Sequence, residues 1–575
     1  MSRYDIVIKG GTIIDGIQTP RYRGDLGIKG DRIVKLGGLI DDADADKVID
    51  ATGKIVAPGV VDLHTHYDSQ LFWDPWCTMS GWHGVTTVVI GNCGFGFAPC
   101  KPEDRERAML ALTRNEAVPL ATMKAGMPWD WVTFKEYLES VERTPKGVNV
   151  MSFVPLSPIY GYVVGIDEAK QRPATDAELE QMCDLLVEGM EQGGCGLSIQ
   201  ILGEVGNVQL DYDGTPMVTD LISERDLKAF CRAMGSTGRG ISQLTGTLDN
   251  AALIARESGQ PAIWNALMAE GALNQHGGAR MTPKEAIKQL KHLNEVEGVR
   301  VYAQAQTVNF ASQFTFEEYN LADAIPCWKE ALMGTVAEKM VKLADPERRK
   351  AMKEIHEMRG GLFGSGYVLA KIKVAWIPLD VPDGLALQEK YEGYTIGEIA
   401  EREGKHQIDV LLDIALLGEL KSGFETERIV TPPENMREII QTPTSLPGIS
   451  DGGAHTKFVT TGRFPSDLLG LWSRDHGLVS LEEAHWRLSA YPAQASGLKG
   501  RGYLAEGMPA DIIVYDPETV GATAQERLWD YPAGEWRLVQ KAQGYNYILV
   551  NGEITFIDGE CTNATPGKLL RHGAT

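Results

Sequence analysis

The chain runs to 575 residues, more than one ordinary hydrophobic core holds, so several structural units or one large barrel with insertions are expected. Its 78 acidic side chains outnumber 56 basic ones for a net charge of −22, which argues against nucleic acid or an anionic membrane as partner. Met1 leads straight into the β-like run through Ile8 with no leader-like apolar stretch, no run of about 18 apolar residues follows, and the eight cysteines are scattered; the expectation is a cytoplasmic protein with reduced thiols.

Short β-rich runs open the chain, Asp5 to Ile14, Asp25 to Leu36 and Val48 to Val56, divided by Gly-Gly, Lys-Gly-Asp and Thr-Gly-Lys turn signals. From Val60 to about Gly470 short apolar runs alternate with amphipathic segments, the pattern of a parallel β/α architecture. The strands expected are Val60 to His66, Thr86 to Cys93, Asn149 to Pro155, Gly196 to Gln200, Gly240 to Leu244, Val299 to Gln304, Arg428 to Thr431 and Leu446 to Asp451. Thr175-Asp-Ala-Glu178, Ser223-Glu-Arg-Asp226 and Thr282-Pro-Lys-Glu285 carry helix-start spacing ahead of apolar residues at helical intervals. Thr335 to Arg359 and Thr395 to Leu420 are helical in pattern and exceed what one crossover needs, so an insertion is expected over about residues 307–425. After Gly500 the β signature returns in Ala510 to Asp516 and in Tyr545 to Phe556 around the turn Asn551-Gly552. The fold expected is α/β: a (β/α)8 TIM barrel over 59–494 with a helical insertion, and a small β-sandwich built from both chain ends, 1–58 and 495–575.

Chemistry concentrates at three expected strand ends. The apolar run Ile55 to Val61 issues into Asp62-Leu-His-Thr-His-Tyr-Asp68, and residues i and i+2 of a strand point to one side, so His64 and His66 converge on one point suited to a cation. The second strand ends in Asn92-Cys93-Gly94 and the last in Ser450-Asp451-Gly452. Two imidazoles, a thiolate and a carboxylate, His64, His66, Cys93 and Asp451, make a zinc shell or near-shell.

These motifs carry a resemblance. Gly59-Val-Val-Asp-Leu-His-Thr-His-Tyr-Asp68, Asn92-Cys-Gly-Phe-Gly-Phe-Ala-Pro-Cys100, Ser450-Asp-Gly452 and the β ends with Ala510-Asp-Ile-Ile-Val-Tyr-Asp516 and Val550-Asn-Gly552 are similar to those of the amidohydrolase superfamily, and within it the chain resembles the N-acyl-D-amino-acid deacylase (D-aminoacylase) family over nearly its whole length. The resemblance implies that His64 and His66 bind one metal position, that Cys93 is a ligand at or beside it, and that Asp451 is the general acid/base. It places Arg463 at the substrate carboxylate; Tyr212, which follows the fourth expected strand, is expected within reach of the site on that position. Deacylases of this family also place histidines at the ends of the fifth and sixth strands; this chain reads Gln243 and Gln304 there, with no histidine, and the family's lysine after the sixth strand is not evident. Glutamine is a harder, weaker ligand than imidazole, so Gln243 and Gln304 are expected at substrate, and one zinc or other divalent cation per chain is expected instead of two.

The expected activity is hydrolysis of a C–N amide-type bond in a small N-acyl amino acid or related carboxylated substrate. The alternatives are another reaction of the superfamily, such as lactone or cyclic-amide opening, C–C hydrolysis or decarboxylation, and a catalytically silent ligand-binding relative. The partner expected is a small molecule, with no nucleic acid and no membrane; a homo-oligomer is compatible with the sequence. His83 and His455 read as structural, Cys77, Cys100, Cys183 and Cys231 as core or loop residues, and Phe72, Trp73, Trp76, Trp82, Phe95 and Phe97 as an apolar acyl pocket.

Overall fold

A computed structural model describes residues 2–203, 209–269, 281–318, 322–323, 325–359 and 368–573. The two chain ends form one unit. Strand Ile55–Pro58 pairs antiparallel with Ile512–Tyr515 and parallel with Tyr4–Ile13, which joins N-terminal and C-terminal strands in a single nine-stranded sheet. Its C-terminal hairpin, Tyr545–Val550 and Glu553–Ile557, turns at Asn551-Gly552 as the sequence indicates.

Between the ends lie parallel strands: β1 Val60–Asp62, β2 Val85–Ile90, β3 Asn149–Ser152 continuing as Val154–Pro155, β4 Gly196–Gln200, β5 Ile241–Thr245, β6 Ala262–Leu267, β7 Val301–Ala305 and β8 Ser445–Pro447. They are almost wholly buried, as expected where helices cover a parallel sheet. The α/β class is borne out. Among the described residues the ladder is not one closed ring: β1, β2 and β3 form a three-stranded sheet, Val154–Pro155 with β4 to β8 a six-stranded one, and Phe153 alone separates Ser152 from Val154. Beyond β1, Thr65 makes a single parallel bridge to Gly452, with His66 N donating to Gly452 O at 2.7 Å. That approach needs glycine: a Cβ on Gly452 would stand 2.6 Å from Ser80 Oγ and 2.7 Å from Tyr67 Oη.

Two expectations fail here. Arg428 to Thr431 is not a strand; it is irregular chain leading into the helix Pro433–Gln441, and Pro432-Pro433 supply no amide hydrogens for a ladder. The strand overlooked is β6, so Gln304 lies on the seventh strand and the sixth carries Asn265 at the corresponding level. Register confirms the level, because Thr245 pairs with Asn265 and Asn265 with Gln304 across β5, β6 and β7.

The helix starts hold. Thr175 and Thr282 form complete capping boxes ahead of Asp176–Glu191 and Pro283–Lys291, and the Ser223 side chain accepts from Asp226 N ahead of Glu224–Ser236. In the stretch after β7, the helices Val336–Ala344, Ile396–Glu403 and Gln407–Leu417 pack around Phe314, Phe316 and Phe424 in a hydrophobic cluster of their own. This cluster also takes in Ala117 and Phe458, so it reaches the segments that border the site.

Candidate metal centre

The chain leaving β1 brings His64 and His66 together with Cys93, which follows β2; all three are buried and their ligand atoms lie within 4.8 Å of one another. Cys93 Sγ stands 3.4 Å from His64 Nε2 and 3.8 Å from His66 Nε2, and His64 Nε2 stands 3.1 Å from Asp451 Oδ1. Donor atoms sharing one zinc ion at bond lengths of about 2.0–2.3 Å stand roughly 3.3–3.7 Å apart in a tetrahedral shell. A soft thiolate and two imidazoles at this spacing fit a divalent cation, with the Asp451 carboxylate beside His64 at the edge of the group.

Burial works against charge on every one of these groups, and their mutual contacts overrule it. His64 and then His66 bring the Cys93 thiol down to about 7. Cys93 and Asp451 raise His64, Glu116 and Cys93 raise His66 to about 9, and His64 holds Asp451 below the usual carboxylate range. The depressed thiol is what a thiolate ligand requires. His64 and His66 are 2% exposed and Asp451 20%, so the cluster opens on the Asp451 side.

Backbone strain marks the same residues. Cys93 (φ 58°), Asp451 (φ 47°) and His455 (φ 49°) adopt the left-handed conformation without being glycine. Such conformations cost of order 1–3 kcal/mol and persist where surrounding structure enforces them, commonly at functional sites. Here Ser450 Oγ donates to His64 O and accepts from Gly452 N, tying the Asp451 turn to the histidine strand.

The amides at β5, β6 and β7 orient the cluster. Gln243 Oε1 accepts from Cys93 N at 2.5 Å, and its Nε2 donates to Thr245 Oγ1, which touches Cys93 Sγ at 3.1 Å. Gln304 Oε1 lies 3.2 Å from His64 Nδ1 while its Nε2 donates to Gly448 O at 2.8 Å. Asn265, which sequence reasoning missed, puts its amide nitrogen 2.6 Å from the same Nδ1 and leaves its own Oδ1 buried without a partner. An Nδ1–H donated to Gln304 Oε1 leaves Nε2 free to face Cys93 and Asp451 as a ligand. The two glutamines, expected at substrate, thus have their hydrogen-bonding groups engaged by ligand residues and backbone.

Arg463 and Tyr212 are not brought to the cluster. The buried Arg463 guanidinium donates through Nε to Asp467, through Nη1 to Gln540 Oε1 at 2.6 Å and through Nη2 to Asn309 O, which leaves it poorly placed as a carboxylate clamp. Tyr212 is 37% exposed, with the Arg107 guanidinium 5.1 Å over its ring. The aromatic group also divides. Phe72 stacks on Trp131, Trp73 meets Tyr531 and Phe97 meets Trp129, all ordinary packing. Phe95 alone of these six combines a place near the cluster, its ring 6.3 Å from that of His66, with the wall of a small, mainly apolar pocket bounded also by Leu112, Tyr162 and Met217. His83 is structural, its ring nitrogens held by Ser466 and the Gln540 carbonyl. His455, read as structural, instead faces Glu116 beside His66.

With the geometry in place, comparison with known proteins decides the family. A model described as "Amidohydrolase family" matches residues 47–556. The chain belongs to the amidohydrolase family. It is 28% identical to the D-aminoacylase of Alcaligenes xylosoxydans xylosoxydans, covering 99% of this chain and 98% of that protein, and 26% identical to the N-acyl-D-glutamate deacylase of the same organism, covering 100% and 98%. A crystal structure of D-aminoacylase superposes with a TM-score of 0.66 at 24% identity, covering 99% of both chains, a likeness of fold. Among the described residues no helix is long and apolar enough to cross a membrane.

Proposed function

We propose that the protein is a metal-dependent hydrolase that cleaves the C–N amide-type bond of a small N-acyl amino acid or related carboxylated substrate. The observation that carries this reading is the buried His64–His66–Cys93 cluster with Asp451 on its open side. His64, His66, Cys93 and Asp451 would hold a divalent cation, zinc fitting the donors best. Such an ion acts as a Lewis acid on a carbonyl oxygen and makes water more acidic. Asp451, partly exposed and kept ionised, takes a proton from water and returns it to the leaving nitrogen, a transfer of a kind that contributes roughly 10² to 10⁴ in rate. Gln243, Asn265 and Gln304 hold Cys93 and His64 in place. The two parallel ladders read as one (β/α)8 barrel over 59–494, with the site where the strands end.

The deacylase relatives support the bond class, and N-acyl-D-amino acids are the first substrates to test. One observation favours a second reading: with Arg463 engaged by Asp467, Gln540 and Asn309, a substrate without a free carboxylate, such as a cyclic amide or a lactone, meets no missing clamp. A catalytically silent binder has less support, because binding alone gives no reason to hold Asp451 in a strained conformation beside His64.

The test is a panel of N-acyl-D-amino acids, N-acyl-L-amino acids, cyclic amides and lactones assayed with the wild-type protein and with Asp451→Asn. Amine release by the wild type, reduced at least 100-fold in the variant while zinc is retained, is expected. Equal turnover by both would show that the proton is handled elsewhere, and opening of cyclic substrates alone would select the second reading.

A further inference from the structure

The helix Arg105–Glu116 begins near the surface, where Arg107 pairs with the exposed Asp167, and ends against the candidate metal centre, where Glu116 lies 4.0 Å from His66 Nε2. The small apolar pocket walled by Phe95 lies along this helix. Leu112, one turn before Glu116 and on the same face, borders it, and Ala111, Ala108 and Arg107 border it further back. Four residues of helix advance about 6 Å, so the inner end of the pocket is about one turn from the carboxylate beside His66. Phe95 marks the same end from another side: it follows Cys93 by two residues, and its ring is 6.3 Å from that of His66. Asn115 Nδ2, 3.6 Å from Met217 Sδ, joins the helix to a further wall of the pocket.

The walls suit an uncharged chain. Phe95, Leu112, Met217 and Val218 are buried apolar residues, while the small Ala108, Ala111 and Gly161 leave space between the helix Arg105–Glu116 and the helix Leu156–Val163. The cations at the outer end are engaged: Arg107 Nη2 donates to Asp167 at 2.8 Å and to Asp211 at 3.0 Å, and Lys170 Nζ donates to Asp211 at 2.6 Å. Asp104 stands on the same wall, so a carboxylate brought here is repelled and finds these two cations taken. In an N-acyl amino acid the carboxylate sits on the carbon that bears the side chain, whereas the acyl arm carries no charge. Each methylene of that arm buried against such walls is worth about a four-fold gain in binding.

We infer that this pocket holds the acyl chain of the substrate, which makes the protein selective for acyl groups longer than acetyl, with Ala111 and Ala108 as the gauge of their length. The inference rests on the reading of the protein as a metal-dependent amide hydrolase. With the scissile carbonyl at the cluster, the chain runs past Phe95 and Leu112 and then outward along the helix toward Arg107. Ala111 is nearer the metal centre than Ala108 by three residues, an advance of about 4.5 Å or roughly three to four methylenes of extended chain.

The experiment compares the zinc-loaded wild-type protein with Ala111→Leu and Ala108→Leu, leucine being a strong helix former that fills the pocket without breaking the helix. The substrates are N-acetyl-, N-butanoyl-, N-hexanoyl- and N-octanoyl-D-alanine, with N-acetyl-D-valine and N-acetyl-D-leucine as a side-chain series. Each kcat/KM is taken relative to N-acetyl-D-alanine with the same protein, which cancels general damage. In the wild type the ratio is expected to rise with acyl length, by up to about four-fold per methylene. Ala111→Leu should end that rise at a short chain and cut the octanoyl ratio by about ten-fold or more, and Ala108→Leu should end it roughly three to four methylenes later. The same length profile in all three proteins overturns the pocket assignment and leaves the hydrolase reading standing. A cut-off that follows the side-chain series instead gives the pocket to the other arm of the substrate and overturns it equally. No amide turnover at any acyl length in the wild type removes the hydrolase reading and the pocket assignment with it. Should Ala111→Leu fail to fold, as judged by circular dichroism, Ala108→Leu decides.

Discussion

Replacing Gln304 with leucine separates an orienting residue from a ligand. The glutamine does two things: Oε1 meets His64 Nδ1 at 3.2 Å, and Nε2 donates to the buried Gly448 carbonyl at 2.8 Å. Loss of a partner that orients a metal-binding histidine typically lowers affinity 10- to 100-fold, or about 1.4–2.7 kcal/mol. Asn265 presents its amide nitrogen, a donor, to Nδ1 at 2.6 Å and does not accept the Nδ1–H in Gln304's place, so a loss anywhere in that range is expected for Gln304→Leu alone. The Gly448 carbonyl, left without its donor, costs about 1–3 kcal/mol of folding stability independently. Zinc affinity measured by chelator competition and stability measured by urea denaturation report the two effects separately. Unchanged affinity would refute the orienting role. Abolished binding in a folded variant would make Gln304 a direct ligand, against the geometry found.

Other substitutions test other parts of the structure. Arg463→Met is expected to lower stability by roughly 3–5 kcal/mol, because it leaves the buried Asp467 without its ion partner; a large rise in KM for carboxylated substrates with stability intact would restore Arg463 as a substrate clamp. His83 is held neutral by burial, its pKa pushed down to about 3, whereas the unfolded chain protonates it near 6.5. Its contribution is therefore complete above pH 6.5 and is lost as pH falls toward 3, by roughly 3 kcal/mol at pH 4. The stability gap between wild type and His83→Gln should narrow by that order between pH 7 and pH 4, in unfolding curves taken at both; a constant gap would show that the folded imidazole titrates normally. Comparing the two proteins cancels the opposite trend of Asp62, which burial pushes up to about 7.

The His64–His66 pair was legible because a buried strand issuing into two same-side imidazoles has few other physical uses, and Cys93 and Asp451 followed from their places at strand ends. The helix starts at Thr175, Ser223 and Thr282 were equally plain, since capping is a local interaction written in four consecutive residues. β6 was missed for the converse reason. Ala262–Leu267 has only six residues, and its apolar run is broken by Asn265, the residue that faces His64. A functional side chain erased the pattern that would have revealed its strand. Arg428 to Thr431 misled through β-branched composition without the backbone donors that Pro432-Pro433 deny. Glu116 carried no signal at all, because its partners are 50 residues upstream and more than 300 downstream, at His66 and His455. The glutamines could be placed near the site from sequence, but whether they meet substrate or ligand residues depends on hydrogen bonds that only the folded chain defines.

Zinc K-edge X-ray absorption on the reconstituted protein tests most directly whether His64, His66 and Cys93 hold a metal. A sulfur scatterer at about 2.3 Å alongside nitrogen or oxygen at about 2.0–2.1 Å is predicted, with the sulfur component absent in Cys93→Ser. A shell of nitrogen and oxygen alone in the wild-type protein, unchanged in Cys93→Ser, would contradict it.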